Sequence, residues 1–254
     1  MNRAQRIALL AAVALAPTAY ADAPPPEGVW LGTGQGGLLL SSGNSSSTSL
    51  NAKLDLARVD GQWKNVIFFG GLYGKNNGIT SGERIEARYR LDHTLSAHSF
   101  WFTGVDGVRD QFSGFAYQLT ASSGAGYKFI DGEATTLAGT FGLGYQRLAP
   151  QSLLKDAGGA VVQRIKGPAQ GNVVGAAGLD YVHTLTASTK LTDKLFVTSG
   201  SADTAVSNDV AVVVSMSDRL ALSVGYGVRY NTKPAIGVKK LDQVTTVNVV
   251  YNIK

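Results

Sequence analysis

The sequence predicts an all-β fold, a transmembrane antiparallel β-barrel of about twelve strands. Three observations carry this. Residues 1–21 are laid out as an export signal: Arg3 and Arg6, an apolar run from Ile7 to Leu15, then the small-residue site Ala19-Tyr20-Ala21, with cleavage expected before Asp22. Behind it comes a ladder of segments in which apolar and polar residues alternate, each long enough to cross a bilayer when tilted. No later stretch offers the roughly 20 consecutive apolar residues that a membrane helix needs.

Composition sets the outer bounds. The mature chain, Asp22–Lys254, is one domain long. The 44% hydrophobic content of the full sequence suits a soluble β protein or a barrel equally, because only every second barrel residue meets lipid. Periodicity therefore decides. The formal charge of +5 includes Arg3 and Arg6, leaving +3 on the mature chain, with the basic residues scattered among acidic ones. That pattern gives no case for nucleic acid. The absence of cysteine excludes disulfides, zinc-thiolate sites and cysteine nucleophiles.

Residues 22–29 form a proline-rich lead-in, and the barrel is expected over 30–254. The first strand spans about Trp30–Ser42 and turns at Gly43–Ser46. In the second, Ser47–Val59, Leu50, Ala52, Leu54 and Leu56 share one face, and Asn51, Lys53 and Asp55 the other. Asp60-Gly61 is a tight-hairpin signal. The third runs from Trp63 to Gly74 and leads into an expected loop, Lys75–Gly82. The fourth, Glu83–Leu95, fixes its own phase. Ile85, Ala87, Tyr89, Leu91, His93 and Leu95 oppose Glu86, Arg88, Arg90 and Asp92, and a basic side chain turned to the lipid midplane costs about 2–4 kcal/mol.

The fifth strand, His98–Gln111, has two phases open to it. Either Phe100 and Phe102 or Trp101 and Val105 face outward, and a bulge near Gly104 is one way to reconcile them. Arg109 joins the interior only in the Phe-outward phase. The sixth, Phe115–Phe129, sets Tyr117, Leu119, Tyr127 and Phe129 against Gln118, Thr120, Ser122 and Lys128. The seventh, Thr135–Leu148, sets Leu137, Phe141, Leu143 and Tyr145 against Thr136, Thr140, Gly142 and Gln146. A long connection, Ala149–Gly171, follows. The eighth covers Asn172–Thr184, the ninth Ser188–Thr198, the tenth Val206–Met216, the eleventh Arg219–Tyr230 and the last Leu241–Ile253. The weakly patterned ninth leaves ten or fourteen strands compatible with the ladder.

Loop lengths and rings support this layout. Every second connection is tight, at Asp60-Gly61, Ser96-Ala97, Asp131-Gly132, Leu185–Ala187 and Ser217-Asp218, as expected at a periplasmic rim. The third, seventh and eleventh are the longest. Aromatic residues fall at strand ends, where a half-wet ring is stable. Trp30, Trp63, Trp101, Tyr127, Tyr181 and Tyr251 map to the periplasmic rim, and Tyr73, Phe115, Tyr145 and Tyr230 to the outer rim.

The run Ser42-Gly43-Asn44-Ser45-Ser46-Ser47-Thr48-Ser49-Leu50, followed by Leu54 and Trp63, resembles an uncharacterised family named salt-induced outer membrane proteins. Gly124-Ala125-Gly126-Tyr127-Lys128-Phe129-Ile130-Asp131 and Gly142-Leu143-Gly144-Tyr145 match it too. The resemblance implies an outer membrane barrel linked to salt stress by name, and supplies no catalytic residues. The chain departs from the usual barrel assembly signal by ending Tyr251-Asn252-Ile253-Lys254, without a terminal aromatic residue.

The interior is the place to look for function. Glu86, Arg88, Arg90 and Asp92 form a charged ladder, with Lys53, Asp55, Lys128 and Asp180 expected to face the same space. Such a lumen is either a polar path, in which charged rings bias passing ions, or a salt-bridged plug. An enzyme reading requires a histidine beside a nucleophile. His93 and His98 flank Ser96, and His183 lies at the same rim, but rim histidines are more often interfacial side chains. Three histidines at mixed spacing do not make a metal site. A third reading is adhesion through Ala149–Gly171, whose Lys155, Arg164 and Lys166 suit lipopolysaccharide. Gly32–Gly37 lacks the following helix that phosphate binding needs. The expectation is therefore a non-enzymatic barrel without cofactor, supporting envelope integrity or passive passage of small solutes and ions under salt or osmotic stress. Its partners are outer membrane lipids, lipopolysaccharide and the barrel assembly machinery.

Overall fold

A computed structural model describes residues 27–41, 46–158, 160–201, 203–234 and 239–254. The expected signal peptide and residues 22–26 of the lead-in lie outside these, as does most of the turn at Gly43–Ser46. The strands are β1 (Leu31–Ser41), β2 (Ser47–Asp60), β3 (Trp63–Asn76), β4 (Ile79–Thr94), β5 (Ser99–Asp110), β6 (Phe115–Asp131), β7 (Thr135–Lys155), β8 (Val161–Lys166), β9 (Gln170–Thr186), β10 (Thr189–Gly200), β11 (Thr204–Ser215), β12 (Leu220–Asn231) and β13 (Leu241–Ile253).

All but β8 form a closed antiparallel barrel of twelve strands, each paired with its chain neighbours. The ring closes between β1 and β13, from Gly32 opposite Ile253 to Gly36 opposite Val249. Closure gives every strand two partners, so no backbone edge is left for a bilayer to solvate.

Alternation turns one residue set outward and the next inward. The outward set is greasy: Phe141 is 70% and Leu143 66% exposed. The inward set includes Asp92, which is 5% exposed. A continuous outer skin of this kind is far larger than the apolar patches of water-soluble proteins. The barrel spans a membrane.

One open alternative is resolved and two expectations need correction. The fifth strand takes the Trp101-outward phase throughout, in unbroken register with β4 from Arg84–Asp110 to Thr94–Phe100. Phe100 and Phe102 point inward and are buried. Space decides this: Gly126 stands opposite Phe100, and any Cβ there would run into the Phe100 ring. No bulge forms near Gly104, and Arg109 faces outward beside Ile85.

The loop expected at Lys75–Gly82 is instead a two-residue turn. Asn77 (φ 49°) and Gly78 (φ 80°) are both left-handed, as the tightest hairpins require, and β4 begins at Ile79. The connection Ala149–Gly171 is not a plain loop either. β7 runs past the barrel to Lys155 and pairs with β8 as a projecting hairpin. Its base is fixed by the buried Gln151, whose Nε2 faces the carbonyls of Asp110 (3.1 Å), Ser113 (3.2 Å) and Phe115 (3.2 Å).

Candidate functional site

The alternation that greases the outer wall sends a strand's remaining side chains into the lumen. On β4 this gives Arg84, Glu86, Arg88, Arg90 and Asp92 in one file. Arg84 holds Glu86 at 2.8 Å and Asp110 of β5 at 3.4 Å. Arg88 donates from Nε to Asp106 at 3.0 Å, and Arg90 holds Asp92 at 2.9 Å. Because β5 turns Asp106 and Asp110 inward, the file has acidic partners on the next strand.

Several contacts cross the barrel. Lys194 of β10 reaches Asp55 of β2 at 3.2 Å. Lys53 of β2 lies 4.0 Å from Asp209 of β11, whose two carboxylate oxygens both accept from Nη2 of Arg229 on β12 (2.7 and 3.0 Å). Arg90 approaches Asp180 of β9 at 3.8 Å. The Arg88 guanidinium sits between the rings of Phe68, 5.5 Å away on β3, and Phe196, 5.6 Å away on β10. β3 and β10 stand diametrically opposite in the ring. These groups build a partition across the lumen from both walls. Beside it lies a cavity of about 130 Å³ whose lining includes Gln35, Asn51, Lys53, Glu86, Asp209 and Arg229. Asn51 donates to Asn248 at 2.7 Å along its edge.

The pairs differ in wetness. The Asp92 side chain is 7% exposed, whereas those of Lys194 and Asp180 are 58% and 48% exposed. The links within β4 and from β4 to β5 thus hold drier carboxylates than those that cross. Hydrated pairs are weak and sensitive to salt.

The eight residues singled out from sequence sort as follows. Lys53, Asp55, Glu86, Arg88, Arg90, Asp92 and Asp180 meet in the partition and its cavity. Lys128 instead lies near the end of β6 and pairs with Asp131 at 2.9 Å. Sequence reading missed Arg84, Asp106, Asp110, Lys194, Asp209, Arg229, Phe68 and Phe196. Carrying the β4 alternation two residues back would have found Arg84. Asp106 and Asp110 needed the phase of β5.

The rings lie on outward positions near the strand ends. At the end holding the termini, Trp63 tilts against His93 (4.4 Å) and Tyr127 meets Phe129 edge-on (5.3 Å). Trp101 donates to Ser123 at 2.9 Å, Tyr181 stacks on His183 at 6.3 Å, Tyr251 is exposed, and Trp30 is half-buried just ahead of β1. Tyr73, Tyr145 and Tyr230 mark the opposite end, where Lys75 sits over the Tyr73 ring.

No serine–histidine dyad appears among the described residues. Ser96 Oγ bonds Ser99 Oγ at 2.7 Å, and His93 is engaged with Trp63. His183 Nδ1 contacts Thr135 Oγ1 at 2.8 Å on the outer surface. No cluster of three metal-ligating side chains occurs among the described residues.

A family model described as "Protein of unknown function, DUF481" matches residues 35–253. The chain belongs to this family. No curated protein matches it. Among solved structures, the DUF481 barrel is similar to the NanC porin at 11% identity, covering 88% of this chain and 99% of that one, with a TM-score of 0.48. It is similar to an outer membrane channel of Pseudomonas putida F1 at 12% identity, covering 93% and 99%, with a TM-score of 0.48. The outer membrane channel DcaP of Acinetobacter baumannii shares 6% identity over 88% and 95%, with a TM-score of 0.40.

Proposed function

We propose that this DUF481 barrel is a passage for small ions or hydrophilic solutes through the outer membrane of a Gram-negative envelope. Its lumen is narrowed by charge pairs that loosen as ionic strength rises. The signal-like N-terminus and the apolar outer skin support that location. The tight turns then face the periplasm and the β7–β8 hairpin faces outside.

The reading is carried by the half-hydrated pairs that cross the lumen, Lys194–Asp55, Arg90–Asp180 and Lys53–Asp209. A barrel built only as a plug gains little from wet, long-range pairs, since each contributes on the order of 0–1 kcal/mol. As salt increases, the Debye length falls from about 10 Å at 0.1 M to about 3 Å at 1 M, and such pairs lose their hold. A role in salt or osmotic stress follows: the path widens when the medium is concentrated.

Planar-bilayer recording tests this directly. Single-channel conductance should rise more steeply than the conductivity of the bath between low and high potassium chloride. A rigid charged pore does the opposite, because its fixed charges concentrate counterions most at low salt. Arg88→Ala, which removes the guanidinium between Phe68 and Phe196, should raise conductance at low salt. A barrel that stays silent at every salt concentration, and in Arg88→Ala as well, is a plug, and the proposal fails.

A further inference from the structure

We infer that an outward-facing arginine pair, Arg109 and Arg147, binds the phosphate-bearing headgroup of an anionic lipid in the leaflet at the hairpin end. The inference needs the barrel to lie in a bilayer but does not depend on passage through the lumen.

The pattern of arginine pairing points there. Arg58, Arg84, Arg88, Arg90 and Arg229 each lie within 4.0 Å of a carboxylate. Arg109 and Arg147, also on barrel strands, have no carboxylate within that distance among the described residues. Both point away from the lumen. Arg109 stands opposite Ile85, and Arg147 opposite Leu119, which is 48% exposed. Both sit near the hairpin end of their strands, level with the exposed rings of Tyr117 and Tyr145.

A guanidinium at that position cannot enter hydrocarbon without a large cost, and at the aromatic level it need not. What surrounds it there is headgroup. Register places Arg109 and Arg147 two strands and two residues apart, roughly 12 Å between Cα atoms on sheet spacings. Two long side chains close that gap onto one phosphate, which guanidinium groups recognise through paired N–H donors. The nearest outward carboxylate by register is Glu83 of β4, opposite Tyr73. It accepts from Gln111 Nε2 at 3.3 Å. Above the pair, Arg164 of the hairpin is already committed to the carbonyl of Gln111 (3.3 Å) and to the Phe112 ring.

Native mass spectrometry of the refolded full-length barrel in micelles doped with lipid A, phosphatidylglycerol or phosphatidylcholine tests the site. Wild type should retain one lipid A or phosphatidylglycerol molecule in preference to phosphatidylcholine. In the double variant Arg109→Gln/Arg147→Gln that retention should fall by at least about tenfold, as expected when charge-assisted contacts are lost. Arg58→Gln, at the other rim and already paired with Asp60, should retain lipid as wild type does. The shift in mobility between unheated and heated samples on a gel confirms that each variant folds. The inference is overturned if the double variant keeps its lipid, if phosphatidylcholine is held equally well, or if Arg58→Gln loses as much. Displacement of the lipid by millimolar inorganic phosphate also overturns it, because the ligand is then a soluble anion.

Discussion

From β2 to β4 and from β10 to β12 the lumen wall carries arginine, lysine and carboxylates. From β5 to β9 it carries Phe100, Phe102, Val174 and Ala176, all buried, over a floor of glycines, with Asp106, Asp110 and Asp180 at the margins as partners of the β4 arginines. The first region fills space with long, hydrated side chains that reach across a gap. The second fills it with rings and small side chains pressed onto bare backbone. Both narrow the barrel, but only the first does so with contacts that water and salt can replace. The difference assigns the fixed part of the wall to the packed stretch around Phe100, Phe102, Val174 and Ala176 and the adjustable part to the charged pairs.

The comparison breaks most sharply at Asp92, the one carboxylate of the charged region that is buried as deeply as the packed region. Asp92→Ala leaves Arg90 with only Asp180, 3.8 Å away. Removing one partner of a buried pair costs about 3 kcal/mol. Urea unfolding of the refolded barrel should show that loss as a lower midpoint with an unchanged slope. A loss below about 1 kcal/mol would place the pair among surface bridges and make the two regions alike in this respect.

In the packed region the corresponding test adds volume. Gly126→Val pushes a branched side chain into the space of the Phe100 ring. Overpacking of this kind costs about 1–3 kcal/mol. The same unfolding measurement checks it, and conductance should change little, because β5 and β6, where Phe100 and Gly126 sit, carry none of the crossing pairs. A large conductance change with no loss of stability would show that the packed wall also moves.

How far the sequence shows these regions depends on contrast between the two faces of a strand. β4 is legible because Ile85, Tyr89 and Leu91 oppose Glu86, Arg88 and Arg90 without exception. β5 is not, because Phe100 and Phe102 on one face are as apolar as Trp101 and Val105 on the other. A strand greasy on both faces has no binary signal, and what settled its phase was the room left at Gly126 on a neighbouring strand. The turn at Asn77-Gly78 was readable in principle, but lay inside a polar run that looks like a longer loop. The crossing pairs are beyond local reading. Lys194 and Asp55 are 139 positions apart, and only barrel closure faces them toward each other. Outside β5 the outward set needed no such long-range information, because each hairpin carries its own period and turn.

The smallest expected effect on stability is the one that sharpens the comparison most. Lys194→Met removes the ammonium that reaches Asp55 but keeps an unbranched side chain of similar length. The ammonium-bearing side chain is 58% exposed, so its pair contributes less than about 1 kcal/mol, and the urea midpoint should barely move. Conductance at low salt should nevertheless rise toward its high-salt value, since the variant lacks a contact that salt loosens in the wild type. Asp55→Asn should do the same from the opposite wall, and the double variant should do no more than either alone, because both remove one link. If the two effects instead add, each residue acts on passing ions as a separate fixed charge, and the pair is not what narrows the lumen.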